Sequence, residues 1–196
     1  MYEIKNFEKE NQRVSSISLT IQISAVTVAI SAILLGIPSV EIITLSIFMA
    51  GYLYRFRFAS ELMMAIILTW EIAATITFGF GGYAFPFKIL AWTFILLAGR
   101  LSWIIDIKSP VEFASVGAFI TLIWDIILLF SVPFTVGLTG GFIPLLISSF
   151  IFGIPFTLIH VVSNALLFSF LPKIIASIRI PLEKDYSNLL LGSENR

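Results

Sequence analysis

The sequence predicts an all-α integral membrane protein, a bundle of six transmembrane helices with both termini in the cytoplasm. Three observations carry this. Hydrophobic residues make up 58% of the 196 positions and charged residues 12%, whereas soluble domains carry about 25% charged residues. Apolar runs of about 20 residues, the length that crosses a hydrocarbon layer about 30 Å thick, recur from one end of the chain to the other. When six such runs are threaded back and forth, eleven of the twelve Lys and Arg residues fall on one side and only Lys88 on the other. Positive residues are retained on the cytoplasmic side, so this asymmetry sets the direction and favours an even number of spans.

The elements follow in order. Residues 1–16 mix Glu and Lys ahead of a full-length apolar run, which reads as a cytoplasmic N-terminal segment rather than a cleaved leader. The first span, 17–36, closes at Gly36-Ile37-Pro38; the second, 40–54, is short and closes at Arg55 and Arg57. The third, 59–79, ends in the turn-forming stretch Gly79 to Pro86, and the fourth, 85–103, in the polar stretch Arg100 to Pro110. The fifth, 114–136, ends at Gly137 to Gly141; the sixth, 143–171, is long, with Pro144 and Pro155 as expected kink sites. Residues 17–171 thus form one transmembrane domain, and the polar stretch 172–196 reads as a cytoplasmic tail.

Charges within such spans are costly, about 2.5 to 3.5 kcal/mol at the centre of a helix, and normally face a cavity or a partner. Glu71 falls in the outer half of the third span, Asp125 halfway along the fifth, and His160 in the middle to inner part of the sixth, with Asn164 one turn beyond on the same face. Each lies on a stripe of small or polar residues: Glu71 with Thr75; Gly117, Thr121 and Asp125; Gly153, Thr157, His160 and Asn164. Lys88 and Trp92 share a face at the outer end of the fourth. Two readings follow. The stripes converge on an outward polar pocket walled by Trp70, Trp92 and Trp124, or the polar groups hydrogen-bond one another and hold the bundle together. Glu61 lies close enough to Arg55 and Arg57 for neutralisation, while Trp103 and Tyr52 to Tyr54, at span ends, are expected at headgroup level.

The first span carries a packing signal. Ser18, Gln22, Ala25, Ala29, Ala32 and Gly36 recur at spacings of four and three, giving one face of small residues against which another helix, internal or from another subunit, can pack closely.

Several chemistries are absent from the sequence. There is no cysteine, so thiol catalysis, disulfides and thiolate metal sites are excluded. Zero net charge and the lack of a polybasic cluster give no footprint for nucleic acid. No Gly-rich phosphate loop is present, so the chain does not hydrolyse ATP by itself, and neither a Gly-x-Ser-x-Gly elbow nor a His-Glu-x-x-His helix occurs. No cofactor is expected. The stretch Phe156-Thr-Leu-Ile-His160-Val-Val-Ser-Asn164 looks like motifs of the CAAX-type intramembrane proteases, but that family also uses a Glu-Glu pair and histidines on two helices, and this chain has one histidine and no Glu-Glu.

Over residues 14–178 the chain resembles the substrate-binding S components of energy-coupling factor (ECF) transporters. The resemblance rests on the six-span, ends-inside topology and on three stretches: Ala25-Val-Thr-Val-Ala29, like the family's Ala-x-x-x-Ala motif; Phe78-Gly-Phe-Gly-Gly-Tyr-Ala-Phe-Pro-Phe-Lys88 with Gly99; and His160-Val-Val-Ser-Asn164-Ala-Leu-Leu-Phe-Ser-Phe-Leu-Pro172. It implies a non-enzymatic subunit in the cell membrane that binds a vitamin-like nutrient in its outer half. Partners would be a transmembrane coupling subunit, docked on Ala25, Ala29 and Ala32, and cytoplasmic ATPases. The expected substrate-binding residues are Glu71, Lys88, Trp92, Asp125, His160 and Asn164. The other functions the residues leave open are a stand-alone proton-coupled carrier using Glu71 or Asp125, and an intramembrane hydrolase using His160 and Asn164.

Overall fold

The computed structural model describes residues 2–34, 42–78, 84–136 and 141–177. Among them every regular element is helical: α1 (Tyr2–Leu34), α2 (Ile42–Leu53), α3 (Phe56–Phe78), α4 (Phe85–Ile104), α5 (Pro110–Val136) and α6 (Phe142–Ser169). A further short helix follows over 171–177. Four of these, α3 to α6, are long and apolar enough to cross a membrane; α2 and the apolar part of α1, Ile17–Ile33, are shorter. The expected breaks at Gly36 to Pro38, Gly79 to Tyr83 and 137–140 lie outside the described residues, as does the tail from 178 onward.

The bundle is built around the shortest of the six numbered helices. α2 packs against α1, α3 and α4, and buries nine of its twelve residues. Its crossing with α4 is close enough to exclude side chains at two points. A Cβ on Gly51 would sit 2.1 Å from the Leu96 carbonyl oxygen, and one on Gly99 would sit 2.2 Å from that of Phe48. These reciprocal glycines let the two backbones touch, the main source of helix association where the solvent is itself apolar. Phe48 then anchors an aromatic cluster, meeting Phe168 of α6 at 4.9 Å and Phe113 of α5 at 6.2 Å between ring centroids. Phe168 in turn lies over Gly117, where a Cβ would be 2.5 Å from its ring.

α5 and α6 run antiparallel and pack along most of their length. Pro133, inside α5, has no N–H to give the carbonyl of Leu129. Ser149 of α6 is placed to make good the loss, its Oγ 3.1 Å from the Leu129 oxygen and also 2.8 Å from that of Leu146. Gly153 admits the Leu129 side chain at the same crossing.

The α4–α5 connection is fixed at both ends. Asp106 adopts a left-handed φ of 60°, and the amides of Asp106 and Ile107 donate back to the carbonyls of Trp103 and Ser102, the pattern that closes a helix C-terminus. Three residues on, Ser109 and Glu112 cap α5 reciprocally: the Glu112 amide donates to Ser109 Oγ (3.2 Å) and the Ser109 amide to Glu112 Oε2 (2.9 Å).

The aromatic residues expected at span ends are packed to different degrees. Tyr52 and Tyr54 are 5% and 6% exposed, with their rings inside the protein. Tyr52 donates its hydroxyl to the Ile107 carbonyl at 3.1 Å, and Tyr54 packs edge-on to Phe58. Trp103, half-buried, carries the Arg100 guanidinium 4.6 Å over its ring. Arg57 and Glu61 pair across one helical turn at 3.2 Å.

Candidate functional site

The polar residues singled out in the spans gather into two places. The first is at the α3–α4 end of the bundle, where Lys88 Nζ donates to Glu71 Oε1 at 2.6 Å. Glu71 is 7% exposed and Lys88 half-buried. An isolated buried carboxylate would be costly, and the ammonium offsets that cost.

The second joins α4, α5 and α6. Asp125 follows Thr121 by four residues on α5, and Asn164 follows His160 by four on α6, so each pair occupies one helix face. The antiparallel faces meet in two rungs one turn apart. His160 Nδ1 lies 2.8 Å from Asp125 Oδ1, and Asn164 Nδ2 donates to Thr121 Oγ1 at 3.0 Å. All four residues are buried, Thr121 and Asn164 completely. A row of rings backs the first rung: Trp124 meets His160 edge-on at 5.5 Å and Trp92 of α4 at 6.4 Å. One turn before Trp92 on α4 is Lys88, so the two polar places abut through that helix.

A cavity of about 380 Å³ opens between α5 and α6 beside the first rung. Asp125, His160 and Thr157 supply its polar lining; Trp124, Val132 and Phe156 are among the apolar walls. Of the six residues expected to bind substrate, Glu71, Lys88, Trp92 and Asn164 do not line it. Several buried polar atoms around the rung make no hydrogen bond with described residues: Asp125 Oδ2, Asn164 Oδ1 and the indole nitrogens of Trp92 and Trp124. Unmatched buried groups of this kind are uncommon and costly, about 1 to 3 kcal/mol each, and two of them, on Asp125 and Trp124, belong to residues that line the cavity, which makes it the candidate binding site. Among the described residues, no cluster of three or more His, Asp or Glu side chains comes together as a metal site.

The sequence places Asp125 and His160 at different depths, whereas the structure joins them. Equal residue counts from the α5–α6 connection would set Asp125 opposite Gly153; the observed rung offsets α6 by about two turns. Only the repeated spacing of four in Thr121–Asp125 and His160–Asn164 hinted at paired rungs. Pro133, Ser149 and Gly51 were not distinguished by the sequence, although a proline within an apolar run is itself a signal for a freed carbonyl.

On α1 the small-residue face stays outside the bundle. Ser18, Gln22, Ala25, Ala29 and Ala32 are all exposed, while Ser24, Thr27, Val28 and Ser31 face inward; Gly36 lies outside the described residues. No family model, curated protein or solved structure matches this chain.

Proposed function

We propose that the chain is a multi-pass cell-membrane protein of six spans, both termini cytoplasmic, that binds a vitamin-like micronutrient and acts as the substrate-binding subunit of an ECF-type transporter. The observation that carries this reading is the buried Asp125–His160 rung beside a cavity, with acceptor and donor atoms left unmatched around it. Ionisable groups within membrane spans mark substrate or ion pathways, and a cavity of this volume suits a small molecule. In the six-span topology the cavity, running from Asp125 to Val132 on α5 and from His160 to Gly153 on α6, occupies the outer half. A ligand would enter from outside and leave inward when partner ATPases drive the cycle. The exposed face of Ala25, Ala29 and Ala32 is then the surface for the transmembrane coupling subunit.

Native mass spectrometry of the purified protein tests the binding reading. A retained small molecule, lost from a folded Asp125→Ala variant, is expected; equal recovery from both proteins would remove Asp125 from the site. A second reading, a stand-alone proton-coupled carrier, is favoured by the direct hydrogen bond between two titratable groups in the spans, an arrangement suited to a proton relay. Uptake by vesicles containing this chain alone would establish the carrier, and uptake only with coupling subunit and ATPases the ECF subunit.

A further inference from the structure

We propose that the α5–α6 cavity selects a ligand carrying a cationic or N–H-donating nitrogen on a flat apolar body, and rejects carboxylates and phosphates. The proposal rests on the reading of this cavity as the binding site and adds its ligand class.

The charge of the lining decides the point. Asp125 is the one carboxylate among the described residues that line the cavity, 8% exposed, with Oδ1 held by His160 and Oδ2 hydrogen-bonded to no described residue. An ionised carboxylate only accepts hydrogen bonds, so the partner it lacks is a donor. Among the described residues, neither Lys nor Arg lines the cavity. Lys88, the basic residue one turn from Trp92, is held by Glu71 at 2.6 Å and is not available to neutralise an anion beside Asp125. A carboxylate or phosphate entering here would set its own acceptor oxygens against Asp125 Oδ2, while His160, the other titratable group on the lining, already has Nδ1 on Asp125 Oδ1.

The walls favour the rest of the molecule. Trp124, Leu128, Val132 and Phe156 give an apolar lining, and the Trp124 ring is able to hold a cation by its quadrupole as well as pack against a flat body. A volume of about 380 Å³ is at the small end for ligand sites, which fits one or two rings rather than an extended chain.

Benzamidinium and benzoate form the test pair, being planar, nearly isosteric and opposite in charge. Calorimetric titration of the detergent-purified full-length chain is expected to show benzamidinium binding and no benzoate binding at the same concentration. Asp125→Asn, checked for folding by its thermal melt, should weaken benzamidinium by about tenfold or more. The comparison between probes uses the unaltered protein, so it decides the matter even if the variant does not fold. Benzoate binding as tightly as benzamidinium, neither probe binding, or benzamidinium unaffected in a folded variant would each overturn the proposal. An anionic molecule retained in native mass spectrometry would overturn the ligand class while leaving the binding-subunit reading intact. No retained molecule together with no binding of either probe would remove both.

Discussion

Lys88 and Glu71 illustrate how burial turns charged residues into pairs. Removing one partner leaves the other charge partly buried, whereas removing both leaves a shape that neighbouring apolar groups tolerate. Glu71→Gln or Lys88→Met is therefore expected to lower stability by roughly 1 to 3 kcal/mol, discounted toward the lower value because the Lys88 side chain retains 24% exposure. The double variant should be less destabilised than the sum of the two, as read by denaturant unfolding in detergent; simple additivity would show that the pair is not coupled. The rung of Thr121 and Asn164 behaves differently, since both members are neutral. Interhelical hydrogen bonds of this kind contribute about 0.6 kcal/mol on average, so Thr121→Val should cost more only through the Asn164 amide it leaves unmatched. Which polar residues lie in the spans was legible from the chain alone. Their partners were not, because spacing along a helix names a face but carries no axial offset between helices. That offset, about two turns for α6 against α5, brings His160 to Asp125.

Helices are where the sequence was most informative. Long apolar runs bounded by Gly, Pro and charge mark α3 to α6 within a few residues, because each run must satisfy its own backbone hydrogen bonds when no water is at hand. The contacts between helices depend instead on single small residues whose role appears only when two backbones meet. Gly51 and Gly99 are such a pair, each abutting a carbonyl oxygen that cannot move without shifting a helix. Gly51→Ala and Gly99→Ala should each destabilise the fold by at least about 2 kcal/mol through overpacking. Gly117→Ala should cost less, since what it meets is the Phe168 side chain, which has rotamer freedom to yield. Thermal melts of the three variants check the ordering, and a Gly117→Ala melt below that of Gly51→Ala would contradict the account of the α2–α4 crossing. At the α4–α5 junction, Ser109→Ala removes the capping oxygen and should cost about 1 kcal/mol.

Among the described residues, apolar side chains fill the core and also cover much of the surface, while the buried polar groups are fewer and the Asp125–His160 and Thr121–Asn164 pairs lie at the α5–α6 seam. α6 buries only His160, Asn164 and Phe168, spaced four apart, while Phe152, Phe156, Leu158 and Leu166 are each more than 60% exposed. Such a distribution is unsuited to water, where a contiguous apolar face of this size would drive association, and suited to hydrocarbon. The number of crossings turns on α2, whose twelve residues extend only about 18 Å against a layer of about 30 Å. Nine of those twelve residues are buried among neighbouring helices, so most of α2 meets protein rather than lipid, a setting in which a short span is tolerated. The lack of native cysteine makes the six-span topology directly measurable by single substitutions and a membrane-impermeant maleimide. Ile42→Cys, at the start of α2, and Pro86→Cys, at the start of α4, are expected to label in intact cells. Arg55→Cys and Lys108→Cys, at the opposite ends of α2 and α4, should label only after permeabilisation, since α4 alone extends about 30 Å. Labelling of Ile42→Cys and Arg55→Cys from the same side would mean that α2 does not cross. The even number of spans, and with it the placement of both termini in the cytoplasm, would then fall.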